Sequence, residues 1–245
     1  MSVDGFDRYI AEVQTRLDEA RGQAAGSIEL AARTIADAQL RGRPLFVFGA
    51  THAGLLAQDL YYRAGGLMLV EAILPAGLML NERPVTRTSL LERLPGYGTI
   101  LLEDVPLLTG DVLLVISVSG RNPVPVELAT AASNRGVKVI ALTSMTYSNA
   151  VSPRGSARLH EVADQVIDLP GIRGDAAISL DGLDIRVGPT STAVGSAILQ
   201  GLVVRVAELI LAAGSLPEIY VSGNLDHGDS ANRRASIPIS TADVS

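Results

Sequence analysis
Two serines, a glycine and an asparagine follow an apolar run in the stretch Ile116 to Ala129, ISVSGRNPVPVELA. Ser117 and Ser119 stand two apart, Gly120 permits a tight turn, and Asn122-Pro123 reads as a helix N-cap followed by the first helical residue. A strand that ends in hydroxyls and turns into a helix in this way aims the helix's unpaired N–H groups and positive dipole end at them. Together they suit an anion with several acceptor oxygens, such as a phosphate monoester. Ordinary turn chemistry is the alternative, because Ser, Gly and Asn also occupy such positions for local reasons.

Two more junctions carry the same residue types. Gly49-Ala50-Thr51-His52 links the run PLFVFG to a helix-length segment that ends near Arg63 and Gly65-Gly66. Thr190, Ser191 and Thr192 open a long apolar segment. Each is separately compatible with a plain cap, yet three hydroxyl-bearing helix starts in one chain point to a shared site.

The elements that must position these junctions follow from the apolar pattern. Residues 5–41 read as helical, with Gly22 and Gly26 marking a break. Aliphatic runs then recur at 44–49, 67–73, 111–118, 137–143 and 164–169, separated by helix-length segments. Continuous rather than alternating apolar strands predict a parallel sheet covered on both faces, hence a doubly wound α/β architecture. Asp181-Gly182, between polar-apolar alternations, predicts a hairpin. The segment TSTAVGSAILQGLVVRVAELILAAG predicts a buried helix in the core or at a subunit contact. One domain is expected over 1–232, with an unanchored tail at 233–245.

Composition narrows the classes. Hydrophobic residues make up 47% against 19% charged, enough for a large core, and the rarity of aromatics makes that core aliphatic. The formal charge of −6 and the lack of a Lys/Arg run give no support for a nucleic-acid partner. Zero cysteines exclude disulfides and thiolate metal sites. The start MSVDGFDRYIAEV lacks the basic and apolar regions of a secretory signal, and no run of eighteen apolar residues occurs, so a cytoplasmic protein without a membrane partner is expected. His52, His160 and His227 are scattered, so no metal and no other cofactor is expected. A dinucleotide site with Glu71 as the ribose acid fails at Thr51, where the fingerprint needs glycine. There is no G-K-[ST] for a Walker loop, and Ser117 breaks the G-x-S-x-G of a hydrolase elbow.

These residues resemble the sugar isomerase (SIS) domain family. Ser117, Ser119 and Gly120 match its S-x-S-G-x-[ST] phosphate loop, and Gly49 to His52 looks like its first glycine-rich loop. YRAGG, LERLPGY, SGRNPVPVELA, KVIALTS and GPTSTAVGSAIL resemble a stand-alone SIS subgroup, and the likeness runs from about residue 5 to 232. It implies a three-layer α/β/α sandwich of the flavodoxin-like kind, with a five-stranded parallel sheet. It also implies phosphosugar binding and a homodimer or homotetramer with sites near subunit contacts. Departures are Thr51 for the second glycine and Ala53 for the serine of the G-x-G-x-S form, and Asn122 for the final Ser/Thr, whose amide can still donate to phosphate.

The resemblance further implies an amino-sugar 6-phosphate, glucosamine 6-phosphate or its N-acetyl form, as ligand. A base that removes the C2 proton of the open-chain sugar serves both isomerase and lyase or dehydratase outcomes. Glu92, in SLLERLPGYG, resembles the catalytic glutamate of the SIS etherases by its offset before the strand leading to Ser117. Ser89 to Glu92 reads equally as a capping box. Glu82 and Glu103 are lesser candidates, more simply surface charges. His52 is expected to assist ring opening or hold a sugar hydroxyl, Arg63 to bind substrate, and His227 to close over a neighbouring subunit's site. Gly49, Thr51, Ser117, Ser119, Gly120, Asn122 and the 190–192 turn are the expected ligand-binding positions. The rival is a non-enzymatic phosphosugar sensor, although the residues before Pro44 are too few for the helix-turn-helix domain that SIS regulators of transcription usually carry.

Overall fold
The computed structural model describes residues 4–233, so the expected tail is covered only at residue 233 and otherwise lies outside the described residues. Two helices come first, α1 (Gly5–Gln23) and α2 (Ala25–Leu40), meeting at Ala24 between Gly22 and Gly26. The chain then alternates: β1 (Leu45–Gly49), α3 (His52–Leu60), β2 (Val70–Ile73), α4 (Thr86–Glu92), α5 (Tyr97–Glu103), β3 (Val112–Ile116) and α6 (Pro123–Asn134). It continues through β4 (Lys138–Thr143), α7 (Met145–Asn149), α8 (Leu159–Val162) and β5 (Gln165–Asp168). A small antiparallel pair, β6 (Ala176–Ile178) and β7 (Val187–Pro189), precedes α9 (Ser191–Ala212) and the short α10 (Gly228–Ala231).

The five main strands are parallel in the order β2-β1-β3-β4-β5. Their continuous apolar character has a direct cause, since successive side chains point to opposite faces and both faces are covered. Leu45 and Val47 face a core shared with α2, α3 and α9, while Phe46 and Phe48 face one shared with α5 and α6. This is the three-layer α/β/α sandwich that the spacing and the resemblance predict. The helix α9 is long and apolar enough by composition to cross a membrane, but it packs as a core helix, with Val194, Ile198, Leu202 and Val206 buried against the sheet's first face.

The hairpin is present with shorter strands than the alternation suggests. Asp181 and Gly182 form the tip of a turn closed by the Leu183 N–H to the Leu180 carbonyl at 3.1 Å, with Gly182 at φ +79°. Helix α1 holds this hairpin: the Tyr9 hydroxyl donates to the Pro189 carbonyl at 2.9 Å, and Arg8 donates to the Ser179 carbonyl at 3.1 Å.

Candidate functional site
Strands β1 and β3 are neighbours, yet the chain leaves them in opposite directions, through α3 toward β2 and through α6 toward β4. Their carboxyl ends diverge and leave a crevice, the position at which open α/β sheets take ligands. A cavity of about 430 Å³ opens there, within the range of small-molecule sites. The three hydroxyl-bearing junctions converge on it, contributing Thr51 and His52, Ser117, Ser119 and Asn122, and Ser191 and Thr192. Glu92 enters from the end of α4, and Asp175 and Arg186 from the hairpin.

The cradle after β3 is open. Neither the Ser117 nor the Ser119 hydroxyl makes a hydrogen bond to a described residue, although Ser117 is buried. Asn122 stands at the N-cap of α6 with Pro123 in its first turn, but its side chain does not cap the helix. Its Oδ1 instead accepts from Arg154 Nη1 at 2.7 Å. That contact commits the carbonyl side of the amide, so the NH₂ group is left to donate elsewhere. The N-cap residue of α6 and two unengaged hydroxyls therefore border one cavity, and because Pro123 and Pro125 carry no N–H, most backbone donors at this helix start belong to the loop before it. Gly120 shapes the loop from behind, at φ +58°, where a Cβ would press on Thr143 Oγ1 at 3.0 Å and on Leu159 and Ser148 at 3.3 Å.

The loop after β1 carries strain. Thr51 sits at φ +56°, ψ −122°, a backbone conformation that glycine adopts freely and threonine does not. Holding a threonine in this conformation costs of order 1–3 kcal/mol. Its N–H donates to the Leu78 carbonyl at 2.8 Å, which holds the loop in place. Gly49 lies just behind the cavity lining. A Cβ there would collide with the Ala53 carbonyl, so this glycine lets α3 approach β1 and does not itself present a ligand group.

Glu92 is the last residue of α4 and Ser89 lies inside the helix, so the capping-box alternative does not form. Burial pushes the Glu92 carboxyl above its ordinary value, and it outweighs the opposing pull of the Asn122 amide and of the Arg93 and Arg154 charges. A half-buried carboxyl that holds its proton more tightly than usual is the form a general base takes when it must work near neutrality.

The start of α9 is closed. Asp175, itself at φ +68°, accepts from the Thr190 and Ser191 N–H groups at 3.2 and 2.9 Å, and from the Ser191 hydroxyl at 2.6 Å. A resident carboxylate thus fills the anion position at this helix terminus. Thr190 is buried behind it, its hydroxyl without a partner among the described residues. Only Thr192 of the expected 190–192 turn lines the cavity with its side chain unengaged. Ser191 and Thr192 thus line the cavity, with the Ser191 hydroxyl already committed to Asp175.

Two expected ligand residues are not brought here. Arg63 pairs with Asp59 and borders a separate hollow of about 420 Å³ beside Tyr62, Tyr220 and Asn232. His227 is exposed at the start of α10 and does not line the cavity. Glu103 is exposed and pairs with Arg135 at 2.7 Å, and Glu82 lies outside the lining. His160 Nδ1 lies 3.0 Å from the Ser148 hydroxyl, which is fully buried. Sequence reasoning missed Asp175 and Arg186, since recognising a hairpin does not tell where it docks.

Residues 8–144 match the profile of the SIS domain. The chain belongs to the SIS domain family. Its relatives include the UPF0309 protein of Shouchella clausii, 45% identical over 228 residues, covering 92% of this chain and 93% of that one. The UPF0309 protein of Oceanobacillus iheyensis is 44% identical over 230 residues, covering 91% and 94%. Among solved structures, a phosphoheptose isomerase from Francisella tularensis superposes with a TM-score of 0.58 at 18% identity, over 85% of this chain and 99% of that one. The Vibrio vulnificus NanR protein complexed with ManNAc-6P superposes at 0.51 and 14% identity, over 87% and 64%. This SIS chain therefore shares the fold of a phosphosugar isomerase.

Proposed function
We propose that this SIS protein binds an amino-sugar 6-phosphate, glucosamine 6-phosphate or its N-acetyl form, in the cavity between β1 and β3. The observation that carries the reading is the open cradle: Ser117 and Ser119 hydroxyls without partners among the described residues, beside the start of α6, which no side chain caps. Phosphate oxygens would accept from those hydroxyls, from the backbone N–H groups of the Ser119–Asn122 loop and from the Asn122 NH₂ group. Thr51, His52 and Thr192 border the space left for the sugar.

Glu92 is the base in this account. As carboxylate it takes the C2 proton of the open-chain sugar, which is acidic because the adjoining carbonyl delocalises the resulting charge. Return of that proton to C1 gives the isomer; departure of a β-substituent gives elimination, as in a lyase or dehydratase. His52, exposed at the mouth on the first turn of α3, would assist ring opening or bind a hydroxyl. No step calls for a cofactor, and a cytoplasmic setting suits a phosphorylated metabolite.

Exposed apolar side chains on α3 and α9, Leu55, Val204 and Leu211, support self-association into a homodimer or homotetramer. His227 would then serve a partner's cavity, and light scattering reports the mass of the assembly.

The test is incubation with glucosamine 6-phosphate and N-acetylglucosamine 6-phosphate in heavy water, followed by proton NMR. Loss of the C2 proton signal is the expected outcome. Unaltered sugar with measurable binding would instead make the protein a phosphosugar sensor, and absence of binding would remove the site assignment altogether.

A further inference from the structure
Three arginines far apart in the sequence adjoin Glu92 and Asn122 just behind the lining of this cavity. Arg93 follows Glu92 at the end of α4, Arg121 precedes Asn122 in the cradle loop, and Arg154 lies between α7 and α8. The Arg154 N–H donates to the Arg121 carbonyl at 2.8 Å, and its guanidinium donates to Asn122 Oδ1 at 2.7 Å. Burial, and then the nearby charges of Arg93 and Arg121, weaken the hold of the Arg154 guanidinium on its proton. None of the three forms an ion pair among the described residues. Arg121 Nε is buried with no hydrogen-bond partner.

The charges do not balance. Among the described residues Glu92 is the one carboxylate acting on Arg154, and burial raises its own hold on a proton. Bringing like charges together is unfavourable, and a buried donor left unpaired costs about 1–3 kcal/mol. Guanidinium forks match the oxygens of carboxylates and phosphates in pairs. An anion between these side chains would offset both costs, and Asn122 connects them to the cradle because it lines the cavity while accepting from Arg154.

Resting on the phosphosugar reading, we propose that Arg93, Arg121 and Arg154 form a second anion subsite. The preferred ligand is then a phosphosugar bearing a second anionic group, carboxylate or phosphoryl. The subsite adds specificity to the same cavity and leaves the phosphate in the Ser117–Ser119 cradle.

Titration calorimetry of the full chain with matched probes tests this. Fructose 6-phosphate is compared with fructose 1,6-bisphosphate, and glucose 6-phosphate with 6-phosphogluconate, with glucosamine 6-phosphate as reference. At least one doubly anionic probe should bind about tenfold or more tightly than its mate, and which one does so tells phosphoryl from carboxylate. An Arg93→Gln/Arg121→Gln variant should lower that probe's affinity tenfold more than its mate's. The exposed Arg93→Gln alone should lower it in the same direction and serves if the double variant does not fold. Equal affinities within both pairs, with the single-phosphate probes bound, overturn the subsite and keep the cradle. An advantage that survives in the arginine variants, or that vanishes only in Arg186→Gln, also overturns it. If no probe binds, glucosamine 6-phosphate included, the phosphosugar reading falls first and takes this inference with it.

Discussion

Two helix starts border the same cavity and differ in what they hold. At α6 the hydroxyls of Ser117 and Ser119 have no partner among the described residues and the Asn122 side chain turns away to Arg154. At α9 the Asp175 carboxylate engages two backbone N–H groups and the Ser191 hydroxyl. Both termini carry the same positive dipole end and similar residues. One is satisfied by the chain itself, and the other, on the proposed reading, receives a ligand. Hydroxyl-bearing helix starts therefore signal an anion site only when no carboxylate of the fold reaches them first.

The largest effect that sharpens this comparison sets one carboxylate of the cavity against the other. Glu92→Gln should lower turnover by about 10²–10⁴-fold, the contribution typical of a general base, while Asp175→Asn should leave the proton-transfer step intact. Steady-state assays on the sugar that loses its C2 proton check both. A fall of similar size in the Asp175 variant would erase the distinction. Because Glu92 must be ionised to act, kcat/KM should fall toward acid through an apparent pKa above the usual glutamate value of about 4.3. The stability linkage has a matching sign. A carboxyl whose folded pKa is raised favours folding below its unfolded pKa and loses that contribution as pH rises through the folded pKa. Glu92→Gln should therefore gain stability relative to the parent at pH 7 compared with pH 4, read from thermal melts.

Next in size are the hydroxyls. Ser119→Ala removes donation to a charged phosphate and should weaken phosphosugar binding about 10- to 100-fold. Ser191→Ala, whose hydroxyl already serves Asp175, should change affinity by less than about threefold. Calorimetry on the pair breaks the comparison if the two losses are equal. Asp175→Asn should cost about 1 kcal/mol, the usual worth of a helix cap, which lowers Tm by roughly 2–4 °C in a chain of this size. The smallest expected effect is at Thr51. Replacing it with Gly relieves the φ +56° strain but adds freedom to the unfolded chain. A net gain of up to about 1 kcal/mol in chemical denaturation is expected, and a loss would show that the threonine side chain is held by packing worth more than the strain.

Much of the fold was legible because burial on both faces leaves its mark in every strand. Leu45 to Phe48 and Val112 to Ile116 alternate between two apolar cores, so they read as unbroken apolar runs. The strand–helix junction after β3 was legible for a local reason: Ser117, Ser119 and Pro123 lie within a few residues of one another between β3 and α6. Other features depend on distant segments. Asp175 reaches α9 only because the hairpin folds back under the Tyr9 and Arg8 side chains of α1. Arg93, Arg121 and Arg154 gather only after α4, α6 and the 150–158 loop have packed, and no charge run announces them. Arg63 shows the opposite case: α3 ends at Leu60, short of the Gly65-Gly66 stop that the sequence suggests, and Arg63 beyond it pairs with Asp59 of that helix away from the cavity.

The central claim is that the start of α6, and not that of α9, receives the phosphate. A crystal structure of the protein soaked with glucosamine 6-phosphate tests it most directly. The account predicts phosphate oxygens within hydrogen-bond distance of the Ser117 and Ser119 hydroxyls and the backbone N–H groups of the Ser119–Asn122 loop, with Asp175 still bound to Ser191. A phosphate seated at Thr190 and Ser191 with Asp175 displaced, or one bound outside this cavity, would contradict it.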